Sequence, residues 1–136
     1  MRPFWRLINI FNKQQFSEQV ENVIFTIDEF EAILEREQAR SKRHGHPLTL
    51  VVYFYEDDKL REEGFTQLLM LLLNRIRLTD EVGWFVEGQL GVLLPYTEIE
   101  GANKLAGGVV QAMDELVTPP KFDVYSFPTD WIEKKK

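Results

Sequence analysis

Residues 84–95 read WFVEGQLGVLLP. Two apolar stretches flank Glu87-Gly88, an acid followed by glycine, the kind of pair that closes a tight turn between antiparallel strands. The spacing predicts strands near 81–86 and 89–95, with Trp84, Phe85, Val86, Leu90, Val92 and Leu93 supplying their apolar faces. Upstream of the hairpin, Phe65, Leu68, Leu69, Leu72 and Ile76 recur at helical spacing, and Arg75 and Arg77 stand near the end, where cations complement the helix dipole. Downstream, Thr97-Glu98-Ile99-Glu100 has the pattern of a capping box. Behind it Ile99, Ala102, Leu105, Ala106, Val109, Val110, Met113 and Leu116 predict a helix of roughly five turns.

Further out, the stretch LTLVVYFY (48–55) is β-branched and aromatic without polar alternation, which predicts a central strand covered on both faces. Before it, Thr26-Ile27-Asp28-Glu29 is a capping box opening a helix that carries Ile27, Phe30, Ile33 and Leu34 on one side and ends at Gly45 and Pro47. At the other extreme KFDVYSF (121–127), bracketed by Pro119-Pro120 and Pro128, reads as an edge strand, where proline is tolerated. After the N-terminal helix the order is thus βαββαβ. The expected fold class is α/β (α+β), a single mixed, mostly antiparallel sheet with a ferredoxin-like core and helices packed on it. The expected divisions are an amphipathic segment at 1–25, a domain at 26–128 and a tail at 129–136.

A chain of 136 residues with 44% hydrophobic content suffices for one core. Its net charge of −6, with no basic stripe interleaved with aromatics, argues against nucleic acid as a partner. Cysteine is absent, which removes disulfides, thiolate metal sites and cysteine nucleophiles and suits a reducing, cytoplasmic setting. The apolar run Leu68–Leu73 is far shorter than the ~20 residues that cross a bilayer. In residues 1–13, Arg2, Arg6 and Lys13 alternate with Phe4, Trp5, Leu7, Ile8, Ile10 and Phe11. This segment reads as a helix packing on the domain or on a partner chain, with peripheral contact at the inner face of the membrane as the alternative. It lacks the pattern of a secretory signal. Lys134, Lys135 and Lys136 read as a solvated end or as the edge of a longer chain.

Residues with chemical potential are few. Glu56, Asp57 and Asp58 follow the central strand, and consecutive residues of an extended chain do not converge on one point, so they read as a helix start rather than a metal site. His44 and His46 flank Gly45 with no third ligand near in sequence. No phosphate-binding G-x-x-x-x-G-K-[ST] loop, G-x-S-x-G elbow or H-E-x-x-H helix occurs. No catalytic residue, metal ligand or cofactor is expected.

Several strings, taken together with the element order, resemble the GGDEF family of nucleotidyl cyclase-like domains, which make cyclic di-GMP from two GTP. RSKRHGHPLTLVVYFYEDDK is similar to the family's first helix end, turn and first strand. RLTDEVGWFVEGQLGVLLPYTEIEGANKLA is similar to its R-x-x-D segment, hairpin, strand end and next helix. The resemblance spans roughly 26–128. It places the five letters of the family name on Val86, Glu87, Gly88, Gln89 and Leu90, none of which matches, and the metal-holding positions on Phe54, Gly88 and Gln89. A magnesium pair needs anionic oxygens, and none of these side chains supplies one. Glu87 stands where the family has a glycine for close approach to nucleotide, and the segment between Lys59 and Asp80 is shorter than its counterpart.

What does match is Arg77-Leu78-Thr79-Asp80, the R-x-x-D pattern with which members of the family bind cyclic di-GMP. A guanidinium suits the guanine O6/N7 edge or a phosphate, and a carboxylate suits the N1 and N2 protons. The competing reading makes Arg77 a helix-end cation and Asp80 a turn cap. The resemblance therefore implies a catalytically inactive regulatory or protein-interaction domain of a bacterial signalling or membrane-associated protein, for example one of polysaccharide synthesis. A cyclic di-GMP receptor working through Arg77 and Asp80 is the alternative. Partners in keeping with either are cyclic di-GMP, a protein or fused domain, and a second copy of the chain.

Overall fold

In the computed structural model the described residues are 24–129, so the amphipathic start at 1–13 and the lysine-rich end lie outside them. The capping box forms as the sequence predicts: Glu29 N–H donates to Thr26 Oγ1 at 3.2 Å and Thr26 N–H to Glu29 Oε1 at 2.9 Å. It opens helix α1, Ile27–His44, which Gly45 closes at φ 74°, a left-handed conformation that glycine adopts at least cost. Strand β1, Leu48–Phe54, follows, then helix α2, Asp58–Leu73, strands β2, Glu81–Val86, and β3, Gln89–Pro95, helix α3, Ile99–Gln111, and strand β4, Lys121–Ser126. Asp57 caps α2 by accepting from Lys59 N–H at 2.9 Å, so the acids after β1 do start a helix.

The strands lie in the order β2-β3-β1-β4, and all three ladders are antiparallel. Phe25 adds a single parallel bridge to Gly83 on the free edge of β2, donating to Val82 O and accepting from Trp84 N–H. The sheet is thus mixed but mostly antiparallel, and β4 is an edge strand as its prolines require.

Helices cover both faces, which explains why β1 shows no polar alternation. On one side Phe30, Ile33 and Leu34 of α1 pack with Leu48, Leu50, Val52, Phe85 and Leu93. On the other, Leu68 and Leu72 of α2 and Ala102, Ala106 and Val109 of α3 pack with Val51, Tyr53, Leu90 and Val92. The small side chains of α3 let it approach closely enough for Tyr53 Oη to donate to Ala106 O at 3.1 Å. Gly83 and Gly91 face each other across β2 and β3. Together they make a seat for Phe30, whose ring atoms lie 2.5 and 2.6 Å from where their Cβ atoms would stand.

Three helix ends differ from expectation. The Thr97–Glu100 capping box does not form. Glu98 is the N-cap of α3 and makes no side-chain capping bond, because the Thr97 hydroxyl accepts from Arg77 instead. Helix α3 ends at Gln111 rather than continuing to Leu116, which is 94% exposed. There Asp114 Oδ1 accepts from Leu116 N–H at 2.9 Å and Asp114 O from Val117 N–H, a turn that competes with helical bonding. Helix α2 likewise stops at Leu73, leaving Arg75 and Arg77 beyond its last turn.

Candidate functional site

The hairpin forms with the predicted bounds, and Gly88, at φ 78°, takes the left-handed turn position. Tyr53 of β1 pairs with Leu90 of β3, so Phe54, one step on, lies beside Gln89 and the turn. The fold thus gathers Phe54, Gly88 and Gln89 at one end of the sheet. None of the three bears a carboxylate, and the Arg61 guanidinium lies so close over Gly88 that a Cβ there would collide with it. Arg61, Trp84, Glu87 and Gly88 line an open cleft of about 660 Å³ against the start of α1. The nearby acids face separate partners: Asp58 pairs with Arg61 at 3.3 Å and Glu56 with Lys121 at 2.7 Å. Among the described residues no three His, Asp or Glu are grouped to hold a metal ion. The side chains at these positions do not fit the magnesium pair of a cyclase, which needs hard anions where three uncharged residues and the Arg61 cation stand.

The opposite end of β1 holds Arg77 and Asp80, which the structure brings together. Asp80 Oδ2 accepts from Arg77 N–H at 2.8 Å, Asp80 N–H donates to Arg77 O at 3.0 Å, and Nη2 stands 3.4 Å from Oδ1. The Asp80 side chain is only 3% exposed, whereas that of Arg77 is 55% exposed. Burial pushes the Asp80 carboxyl above its ordinary range, and the Arg77 amide and guanidinium only partly offset this. The same Nη2 donates to Pro95 O at 2.9 Å and to Thr97 Oγ1 at 2.6 Å. Arg77 is thereby bonded to both neighbours of Tyr96. The buried Thr49 hydroxyl donates to Thr97 O at 2.6 Å and fixes the same loop from below.

Tyr96 itself has φ 59°. For a bulky residue other than glycine this conformation costs on the order of 1–2 kcal/mol. Its N–H donates to Pro47 O, its ring stacks on His46 with centroids 4.1 Å apart and planes at 24°, and the residue is still 64% exposed. His46 stacks in turn near His44 at 6.5 Å, and both its ring nitrogens are buried with no hydrogen-bond partner among the described residues. Leu78, between Arg77 and Asp80, is 74% exposed, and Ile99 at the start of α3 is 41% exposed. The sequence gives no periodic signal for Tyr96, His46, Thr49 or Thr97 at this site. The one available cue is an aromatic residue directly after the LLP strand end.

No family model matches the sequence, and no curated protein matches it. Solved structures do. A diguanylate cyclase (DGC) protein from Thermotoga maritima superposes with a TM-score of 0.64 at 17% identity, over 79% of this chain and 84% of that one. The GGDEF domain of YfiN (TpbB) from Pseudomonas aeruginosa gives 0.61 at 16%, over 78% of each chain. The chain has the GGDEF fold. PelD from Pseudomonas aeruginosa, solved in complex with c-di-GMP, gives 0.51 at 24% over 74% of this chain, which spans 38% of that longer one. In this fold the turn end carries residues 86–90 and the far end carries Arg77 and Asp80.

Proposed function

We propose that the chain is a regulatory or protein-interaction module of GGDEF fold without cyclase activity, working in the cytoplasm or at the inner face of the membrane. One observation carries this reading. At Phe54, Gly88 and Gln89, the positions to which the resemblance assigns the metals, no side chain is anionic, and Arg61 lies across Gly88. The guanidinium repels a divalent ion, and magnesium at these three positions finds none of the carboxylates that would anchor it. Incubation with GTP and magnesium, followed by chromatography for cyclic di-GMP, is expected to give no product. Product formation that survives Arg61→Ala and vanishes on chelation would overturn the reading.

A second reading is favoured by the half-exposed guanidinium of Arg77: the module is a cyclic di-GMP receptor. The likeness in fold to PelD, solved with c-di-GMP, supports it. The buried Asp80 limits that site, because its carboxylate already serves the Arg77 amide and guanidinium, so Arg77 is the principal contact. Calorimetric titration with cyclic di-GMP separates the two readings. Heat on wild type that disappears in Arg77→Ala supports the receptor, and a silent wild type removes it.

A further inference from the structure

We propose that Tyr96 is a stacking platform for a guanine base of cyclic di-GMP, held beside Arg77 so that one ligand meets both; this rests on the receptor reading. The ring contributes little to the core, since the residue is 64% exposed, and its φ of 59° is one that glycine or asparagine fills at lower cost. A bulky aromatic in that conformation is accounted for by a task for its ring. One face lies on His46, whose nitrogens have no partner among the described residues and which acts as a flat backing plate. The remainder of the ring is open.

The loop that carries the ring is tied to Arg77. Arg77 Nη2 donates to Pro95 O and Thr97 Oγ1, the residues on either side of Tyr96, so guanidinium and ring belong to one bonded loop. A purine stacked on an aromatic face places its edge and its phosphate within reach of a neighbouring arginine, a combination suited to both charge and shape. Leu78 and Ile99, exposed on the adjoining segments, add apolar surface that a stacked dinucleotide would cover. The half-exposed Arg77 guanidinium among exposed apolar side chains suits a planar ligand that carries phosphate.

The test is titration calorimetry with cyclic di-GMP on wild type, Tyr96→Phe, Tyr96→Gly and Arg77→Ala. Glycine suits the left-handed backbone, so Tyr96→Gly removes the ring without straining the loop. Tyr96→Phe is expected to bind like wild type, and Tyr96→Gly to lose affinity roughly tenfold. Arg77→Ala is expected to lose binding. A nuclear Overhauser contact between the Tyr96 ring protons and guanine H8 in the wild-type complex gives a readout that does not depend on any variant folding, and its absence overturns the platform. If Arg77→Ala loses binding while Tyr96→Gly titrates like wild type, the platform is wrong and the receptor reading stands. If wild type takes up no dinucleotide, the receptor reading fails and the platform falls with it.

Discussion

The two ends of β1 are built from different kinds of contact. At the turn end the ion pairs lie at the surface, Lys121 with Glu56, 64% and 71% exposed, and Arg61 with Asp58, 35% and 79% exposed, while Tyr55 Oη adds one bond to backbone, at Thr118 O. At the Arg77 end, side chains bond to backbone: Thr49 to Thr97 O, Ser41 to His46 O, and Arg77 to Pro95 O. A carbonyl is fixed by the fold, so a side chain that bonds it is ordered by the whole sheet. A surface pair must order two long side chains against salt and water. The end with residues 86–90 is therefore shaped mainly by packing, whereas at the other the half-exposed cation is itself tied to the backbone.

If packing shapes the turn end, the largest loss comes from the side chain seated on the hairpin. Phe30 is fully buried and rests on Gly83 and Gly91, so Phe30→Ala opens a cavity under both strands. It is expected to cost about 3–5 kcal/mol in urea unfolding and to speed amide exchange in β2 and β3. A cost no larger than that of any substitution at the Arg77 end would break the contrast.

Arg77→Ala comes next. It removes the donor to Pro95 O and Thr97 Oγ1 and the cation beside a buried carboxylate. Because the guanidinium is half-exposed, the expected loss is discounted to about 1–2 kcal/mol. Stability equal to wild type would mean that the apparent order of this end is carried by Thr49 and the backbone.

The sequence made local features far more legible than contacts between distant residues. The hairpin bounds, the Thr26–Glu29 box and the Gly45 stop are local patterns, in which each residue meets partners a few positions away. Thr97 shows where this fails. Its spacing to Glu100 is that of a capping box, but its hydroxyl accepts from Arg77, and a contact across twenty positions outweighs the local one. The end of α3 at Gln111 turns on Asp114, whose side chain offers the backbone an alternative that apolar periodicity does not register. Tyr96 was illegible because nothing in its neighbours announces a left-handed conformation. Phe30 reads as an ordinary core residue until strand register sets two glycines opposite each other.

The Arg77 end also carries a titrating group. Burial holds the Asp80 carboxyl above its ordinary value of 3.8, so the folded protein binds that proton more tightly than the unfolded chain. For such a group stability falls as pH rises from the ordinary value through the folded one, and levels off above it. Asp80→Asn keeps an oxygen for the Arg77 amide but no longer titrates. Its stability relative to wild type is therefore expected to rise with pH across that window, by less than the cost of Arg77→Ala. Thermal unfolding from pH 3 upward checks this, and a fall in place of the rise would show that Arg77 outweighs burial.

The smallest effect belongs to the turn end. Lys121 and Glu56 make a short contact of 2.7 Å, and length alone would rank it among the strongest polar contacts in the molecule. Both side chains are well exposed, however, so water competes for each partner and the bond returns little beyond the entropy of ordering two long chains. Lys121→Ala is expected to change stability by no more than about 0.5 kcal/mol, and that difference should fade in 1 M salt, where the screening length is about 3 Å. A salt-insensitive loss above 1 kcal/mol would mean that the edge strand β4 depends on this pair. A surface ion pair at the turn end would then hold as firmly as the backbone-directed bonds of Arg77, and the contrast between the two ends of β1 would not hold.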